Sequence, residues 1–168
     1  ITIIGAGYVG FSLALLMSQE HKVLVLEIDQ VKIDKINNQN LLKKEPSVKK
    51  FLKDKKLNLV ASRYTKESLK ESDMIIICTS TNYDILTGEF DTKTVDLVLK
   101  DIRKIKPECT VIIKSTVPVG FTENRKKSNS LPNLLFSPEF LREDSALYDN
   151  MNPSRIIIGG DNKEAKKF

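Results

Sequence analysis

The chain opens with a strand-like run that leads directly into three closely spaced glycines, and this feature constrains its fold most. The run ITIIG (1–5) is apolar, and Gly5, Gly7 and Gly10 follow the pattern G-x-G-x-x-G. Glycine weakens both strands and helices, so three of them at a strand end predict a tight turn and a close backbone approach. The apolar period of YVGFSLALLMSQE (8–20) then predicts a helix.

Short apolar runs alternate with helical patterns along the rest of the chain. The predicted strands are KVLVLE, LNLVAS, DMIIICT, TVIIKS, NLLFS and SRIIIGG. The predicted helices are DQVKIDKINNQ, a basic stretch over 47–56, TKESLKES with Thr65 as N-cap, DTKTVDLVLKDIRKI, and PVGFTENRKKS beginning at Pro118. Strands that are apolar on both faces and separated by helices favour a parallel sheet covered on both sides. We therefore predict one α/β domain over 1–168, a doubly wound parallel sheet of Rossmann type with order 3-2-1-4-5-6 and SRIIIGG (154–160) as an extra terminal strand.

The first βα turn of such a sheet is a ligand site, because strand order reverses there. Gly5 permits the tight turn, Gly7 lets backbone N–H groups approach a pyrophosphate, and Gly10 lets the helix pack closely on the sheet. Tyr8 and Val9 open that helix, whose free N–H donors and partial positive charge suit an anion. The motif therefore predicts that a dinucleotide binds here, and the alternative is a tight turn without a ligand.

An acid at the end of the second predicted strand supports the dinucleotide prediction. Glu27 can accept both hydroxyls of the adenosine ribose, and its charge would repel a 2′-phosphate, so NAD is favoured over NADP. Asp29 is a rival for this role. Lys32 is a candidate contact to a phosphate or to the ribose.

Charge and cysteine usage exclude several other classes of site. The net charge is +5, with much of the excess in 43–56, and no nucleic-acid-binding motif accompanies these lysines, so we expect a solvated helix face and no nucleic-acid partner. Cys78 and Cys109 lack metal-type spacing and His21 has no catalytic neighbours, so no metal site is predicted.

No apolar run is long enough to cross a membrane, and no signal peptide is visible, so we expect no membrane partner and a cytoplasmic protein. The missing start Met and an end inside a predicted helix indicate a piece of a longer chain.

Three later segments follow predicted strands and therefore share one edge of the sheet with the glycine motif. They are STNYD (80–84), KSTVPVGFT (114–122) and SPEFLREDSALYDNMNPSRIIIGG (137–160). Together with GAGYVG they resemble, over nearly the whole chain, the amino-terminal domain of the UDP-glucose/GDP-mannose dehydrogenase family, nearest to its UDP-glucose branch. The resemblance implies NAD as cofactor and the oxidation of a sugar C6 alcohol to a carboxylate, UDP-glucose to UDP-glucuronate, in two NAD-dependent steps through an aldehyde and an enzyme thioester.

The resemblance also implies roles for individual residues. Thr81 would lie along the cofactor, and Thr116 would lie near the nicotinamide and the reacting water. Glu139 resembles the carboxylate tied to thioester hydrolysis. Glu143 resembles the one that helps bind the cofactor and order water. The pocket for the nucleotide sugar would be lined by Glu139, Phe140, Leu141 and Arg142.

The residues alone leave a simpler interpretation open. Glu143 is also a typical helix-start acid, and Ser115 or Thr116 is a possible N-cap for the helix after Pro118. Glu139 and Glu143 are four residues apart, so on a helical turn they would share a face.

Other parts of the family's machinery would lie beyond residue 168. The resemblance implies that the nucleophilic cysteine, the catalytic Lys and Asn, the central helix and the nucleotide-sugar domain are absent from this chain, and that the full-length protein is a homodimer. The alternatives are a dehydrogenase of a UDP-N-acetyl sugar or GDP-mannose, or a non-catalytic nucleotide-sensing Rossmann module. We expect the chain alone to bind NAD weakly and to turn over no UDP-glucose.

Overall fold

The computed structural model describes residues 1–38, 48, 51, 56–160 and 163–168. Its strands are β1 (Thr2–Ile4), β2 (Val23–Glu27), β3 (Leu59–Arg63), β4 (Met74–Ile77), β5 (Tyr83–Asp84), β6 (Glu89–Phe90), β7 (Thr110–Ile113) and β8 (Leu134–Phe136). Its helices are α1 (Tyr8–Met17), α2 (Gln30–Asn37), α3 (Lys93–Ile105), α4 (Phe121–Asn129), α5 (Ala146–Met151) and α6 (Lys163–Lys167). Two 3-10 turns cover Glu67–Leu69 and Glu143–Ser145.

Six strands form one parallel sheet in the order β3-β2-β1-β4-β7-β8. Counted along the chain these are strands 3-2-1-4-5-6, so the predicted fold class and strand order are confirmed. Strand β1 lies between β2 and β4, with Ile3 opposite Val25 on one side and Ile76 on the other. The order therefore reverses at β1, and the glycine motif follows directly from its carboxyl end.

Each face of the sheet carries its own core, because successive strand residues point to opposite sides. Ile3, Val25 and Ile76 pack with the buried face of α1, whereas Ile4 and Ile77 pack with α3. The helix predicted over DTKTVDLVLKDIRKI forms, and its buried residues are Val95, Val98, Leu99 and Ile102. Burial on both faces explains why the strands read as unbroken apolar runs.

The extra terminal strand predicted over SRIIIGG (154–160) does not form. This segment meets the sheet through a single antiparallel bridge, in which Gly159 N donates to Phe136 O at 2.7 Å. The side chains of Ile156 and Ile157 are 72% and 45% exposed. A β-branched run forms a strand only where another backbone pairs with it along its length, and here the pairing is limited to one residue.

Two predicted helices are shorter than their sequence patterns suggested. TKESLKES forms only the 3-10 turn, where the Thr65 hydroxyl accepts from Ser68 N at 3.3 Å and shares a hydrogen bond with Ser68 Oγ. Pro118 does not begin a helix, because Gly120 adopts φ +80 and α4 starts after it. Left-handed backbone at that point breaks the helical path.

The β5–β6 hairpin was not predicted from the sequence. Its strands are two residues long, and the Tyr83 and Phe90 rings pack with centroids 5.0 Å apart. The predicted basic helix over 47–56 lies outside the described residues, apart from Val48 and Phe51, which are helical and buried, and residue 56. Within the described ranges no helix is long and apolar enough to cross a membrane.

Candidate functional site

Two of the three motif glycines are required by the fold itself. Gly5 has φ +99, and a Cβ there would lie 2.6 Å from the Cys78 carbonyl oxygen. A Cβ on Gly10 would lie 2.1 Å from the Gly5 carbonyl oxygen and 3.0 Å from Cys78 Cβ. Both contacts are with the chain that forms the turn and the neighbouring strand. Any larger residue at either position would therefore force the β1–α1 turn off the sheet.

Gly7 differs, because the fold leaves the space above it open. A Cβ on Gly7 would meet no atom of the described residues within 4 Å. Gly7 is also the N-cap of α1, and this helix start has no side-chain cap and no acidic residue in its first turn. Free N–H donors beside open space suit an anion, so this cradle fits a dinucleotide diphosphate.

The Glu27 carboxylate lies against this cradle. Its Oε2 accepts from Ala6 N at 2.9 Å, and its Oε1 accepts from Ile28 N at 2.8 Å and Asp29 N at 3.2 Å. Burial alone raises the pKa of Glu27, but these N–H donors and Lys32 outweigh it, and the pKa lies below its ordinary value. Three of the four acceptor positions of the carboxylate are occupied, so one remains on Oε2 for a ribose hydroxyl. The prediction that Glu27 accepts both ribose hydroxyls therefore stays a prediction.

Asp29 and Lys32 take different positions around Glu27. The Asp29 Oδ1 accepts from Val31 N at 2.9 Å and so caps α2. Asp29 therefore serves the neighbouring helix start through one of its two carboxylate oxygens. Lys32 Nζ lies 3.7 Å from Glu27 Oε2, and its side chain is half exposed.

A cavity of about 400 Å³ lies between the second half of α1 and the segment 137–156. Its lining includes Glu139, Phe140, Leu141 and Arg142. The structure thus brings the four predicted pocket residues to one cavity. It adds Lys114, which sequence analysis missed as a site residue.

Lys114 and Glu139 form a buried ion pair in this cavity. Lys114 Nζ lies 3.5 Å from Glu139 Oε2, and the two side chains are 9% and 17% exposed. Burial raises the pKa of Glu139 to about 7, even though Lys114 acts to lower it. The position of Lys114 in the sequence could have indicated its role. A lysine directly after the buried strand TVII cannot easily reach solvent.

The rest of the cavity wall is fixed by contacts along its own segment. The Arg142 guanidinium donates to Asp149 Oδ1 at 2.7 Å and Oδ2 at 3.1 Å, and Arg142 N donates to the same carboxylate. The Arg155 guanidinium lies 4.4 Å from the centre of the half-exposed Phe140 ring. These contacts hold the FLR run (140–142) in an extended path along the cavity.

Three predicted site residues do not line this cavity. Thr81 follows β4 and is half-buried, whereas Thr116 follows β7 and is exposed. Glu143 is exposed and begins the 3-10 turn before α5. All three lie beyond the carboxyl ends of strands, as predicted, but apart from the Glu139 pocket.

The structure also corrects two local interpretations. Residues 137–142 are not helical, so Glu139 and Glu143 do not share a helical face. Ser115 and Thr116 do not cap a helix, because α4 begins at Phe121 and the Ser115 hydroxyl donates to Thr79 O at 2.7 Å. Glu143 does occupy the helix-start position that the simpler interpretation gave it.

Glu139→Gln is expected to flatten the pH dependence of folding stability. The folded-state pKa of about 7 exceeds the ordinary value of 4.5, so between these values the folded chain binds a proton that the unfolded chain has released. The free energy of unfolding of the wild type therefore falls as pH rises through this range. The decrease should be about 2–3 kcal/mol larger in wild type than in E139Q. Urea denaturation at about pH 5 and pH 8 measures this difference.

The matched control for this measurement is Glu143→Gln, since Glu143 is exposed and should leave the pH dependence as in wild type. Parallel stability curves for wild type and E139Q would show that Glu139 does not titrate in this range.

The whole chain is similar to proteins of known family. A model of the UDP-glucose/GDP-mannose dehydrogenase family, NAD binding domain, matches residues 1–168. The UDP-glucose 6-dehydrogenases of Streptococcus pneumoniae and Campylobacter jejuni are 43% and 46% identical to it over 161 residues. These alignments cover 96% and 95% of this chain but 41% of each relative. The chain therefore spans about two fifths of the curated relatives it matches.

Solved structures show the same likeness in three dimensions. A UDP-glucose dehydrogenase from Pyrobaculum islandicum superposes with a TM-score of 0.82 at 25% identity, covering 99% of this chain and 41% of that one. A GDP-mannose dehydrogenase from Pseudomonas aeruginosa, solved as a ternary complex, gives 0.81 at 26% identity, with 99% and 42% covered.

Proposed function

The chain belongs to the UDP-glucose/GDP-mannose dehydrogenase family as its NAD-binding domain, and on this premise we propose that the whole protein oxidises UDP-glucose to UDP-glucuronate in two NAD-dependent steps. The observation that carries the proposal is the open cradle at Gly7, where an uncapped helix start lies beside the Glu27 carboxylate. Gly5 and Gly10 are explained by the fold, whereas Gly7 is explained by a ligand.

Within this domain we assign cofactor binding to the carboxyl edge around β1. The backbone of Gly5, Gly7, Tyr8, Val9 and Gly10 would hold the diphosphate through N–H groups. Glu27 would accept a ribose hydroxyl, and Lys32 would contact the ribose or a phosphate. Thr81, Thr116 and Glu143 would lie along the remainder of the cofactor, in keeping with their positions after β4, β7 and β8.

The chemistry requires groups that accept protons in a dry pocket. Oxidation of a primary alcohol to a carboxylate removes two hydrides and three protons and adds the oxygen of one water. NAD supplies the hydride acceptor when it is bound. We propose that Glu139 accepts a proton from the attacking water, since its pKa of about 7 suits exchange near neutral pH. Phe140, Leu141 and Arg142 would shape the pocket for the sugar nucleotide.

UDP-glucose is favoured over other nucleotide sugars by the pattern of relatives. The two UDP-glucose 6-dehydrogenases of S. pneumoniae and C. jejuni are 43% and 46% identical to this chain. The solved UDP-glucose and GDP-mannose dehydrogenases are more distant and nearly equal, at 25% and 26%, so the preference for UDP-glucose rests on the curated relatives. The relatives' names concern whole proteins, so the nucleophilic cysteine, Lys and Asn that complete the reaction would lie outside this chain.

Calorimetry with NAD and NADP tests the cofactor half of the proposal. We expect the 168-residue chain to bind NAD weakly and to bind NADP less tightly, because the Glu27 charge opposes a 2′-phosphate. Equal affinities would count against Glu27 as the selector.

The substrate half is tested with the full-length protein. UDP-glucose and NAD should give NADH absorbance in full-length protein and none in the 168-residue chain. GDP-mannose and a UDP-N-acetyl sugar serve as comparison substrates, and faster NADH formation with either would overturn the choice of UDP-glucose.

We further propose a cytoplasmic location and a homodimeric full-length protein. Cys78 and Cys109 are buried free thiols, and a reducing compartment would keep them in this reduced state. Cell fractionation tests the location. Sedimentation of the full-length protein tests the dimer, and a monomer at micromolar concentration would contradict it.

A further inference from the structure

Lys114 is a charged side chain in the interior whose burial the fold alone does not explain. It follows β7 directly and is 8% exposed. Its Nζ donates to Ser137 O at 3.1 Å and to Ser137 Oγ at 3.4 Å, and the Phe168 ring lies 5.8 Å away. A buried ammonium is costly unless it is paired. The chain therefore maintains Lys114 at this place with a specific set of partners.

The nearest acid is Glu139, and one of its oxygens is left available. Oε2 lies 3.5 Å from Lys114 Nζ, and none of the described residues forms a hydrogen bond with it. A buried oxygen without a hydrogen bond is costly, and here the ammonium 3.5 Å away is the charge that stabilises it. Glu139 also lines the cavity, so Lys114 lies directly beside a carboxylate of the cavity wall.

The other titratable and charged groups around Glu139 are engaged elsewhere or neutral. Burial raises the pKa of the Cys78 thiol, which stays neutral near pH 7. Arg142 is paired with Asp149, and Arg155 lies over Phe140. Among the described residues Lys114 is therefore the cation that acts on Glu139.

We propose that Lys114 is the positioning residue for Glu139: its ammonium, anchored on the Ser137 carbonyl, orients the carboxylate at the cavity and keeps it ionised so that it can accept a proton. The role of Glu139 as the reacting carboxylate rests on the proposed function, whereas the coupling of the two side chains does not. An ammonium at this distance favours the charged carboxylate and opposes the effect of burial. Loss of the ammonium leaves burial unopposed.

The direct test is an NMR titration of the Glu139 side-chain carboxyl carbon in the 168-residue chain. Wild type should titrate near pH 7. Lys114→Met should raise the midpoint by at least about one pH unit, roughly a tenfold change in proton affinity. Lys114→Arg should stay within about half a unit of wild type, because it keeps the charge. The control Lys93→Met removes an exposed lysine and should change nothing.

A midpoint in K114M equal to that of wild type would overturn the inference, even if the variant were less stable. Lys114→Gln keeps a donor for the Ser137 carbonyl while removing the charge, so it provides the same readout should K114M fail to fold. A purely structural role would lower stability in all three Lys114 variants without moving the midpoint.

In the full-length protein, K114M should move the acidic limb of the kcat profile to higher pH by the same amount and leave the KM for UDP-glucose within about twofold. A shifted midpoint without any UDP-glucose turnover would contradict the proposed function and leave the coupling intact. UDP-glucose turnover with an unshifted midpoint would support the proposed function and overturn the coupling of Lys114 to Glu139.

Discussion

Gly10→Ala is expected to cost this chain about 3 kcal/mol or more of folding free energy. The added methyl would lie 2.1 Å from the Gly5 carbonyl oxygen, and that oxygen belongs to a backbone turn that cannot rotate away. Overpacking of this kind costs about 1–3 kcal/mol even where side chains can adjust, and here α1 would have to move off β1. The gain in helix propensity from alanine, about 1 kcal/mol, is too small to offset it. Urea denaturation at neutral pH measures the loss.

The matched variant is Gly7→Ala, which separates fold from function. Its methyl would project into open space, so stability should stay within about 0.5 kcal/mol of wild type. The same methyl would occupy the approach to the N–H groups of α1. Loss of one or two charge-assisted hydrogen bonds, at about 1.5–3 kcal/mol each, should weaken NAD binding at least tenfold.

These two outcomes together distinguish a ligand site from a structural turn. If G7A bound NAD as tightly as wild type does, the diphosphate would not lie on this cradle. If G7A unfolded as readily as G10A, the turn alone would account for all three glycines. Calorimetry with NAD on the folded G7A chain distinguishes a diphosphate site from a purely structural turn.

The sheet could be predicted because each of its strands shows the same apolar pattern over a few consecutive residues. Runs such as III around Ile76 and VII around Ile112 are apolar at every position, and only a strand covered on both faces buries all of them. The crossover rule then leaves few orders, so the arrangement of β1, β2 and β4 follows from strand succession.

The site was less predictable, because its decisive contacts join distant parts of the chain. Lys114 and Glu139 come from neighbouring strand ends and meet only after β7 and β8 pair. Glu139 and Glu143 would share a face only on a helical turn, but residues 137–142 are not helical, and Lys114 and Asp149 pair with Glu139 and Arg142 there. Tertiary contacts of this kind override local propensity.

The sequence also could not show which of Glu27 and Asp29 faces the cradle, since both follow the same apolar run. The end of the strand decides it, because β2 ends at Glu27 and Asp29 is already the N-cap of α2. The acid that closes the strand is thus directed to the loop, and the acid two residues later caps a helix.

Glu27→Gln is therefore expected to change cofactor choice, and Asp29→Asn is its control. The glutamine is nearly isosteric but uncharged, so it removes the repulsion that a 2′-phosphate would meet, about 4 kcal/mol for two charges roughly 4 Å apart near a protein surface. An energy of this size corresponds to about a thousandfold, so the ratio of NAD to NADP affinity should fall by about a hundredfold to a thousandfold. NAD itself should bind about tenfold more weakly.

The same substitution should loosen the loop, since Ala6 N, Ile28 N and Asp29 N all donate to this carboxylate. A glutamine has one oxygen for three donors, and its amide nitrogen cannot accept, so about 1–3 kcal/mol of stability should be lost. D29N should cost at most about 1 kcal/mol as a helix cap and leave the affinity ratio unchanged. Calorimetry with both cofactors on the three folded chains compares them. The opposite result would be an NAD to NADP affinity ratio that stays constant in E27Q and falls in D29N. It would show that Asp29 selects the cofactor and that Glu27 only accepts hydrogen bonds from the loop.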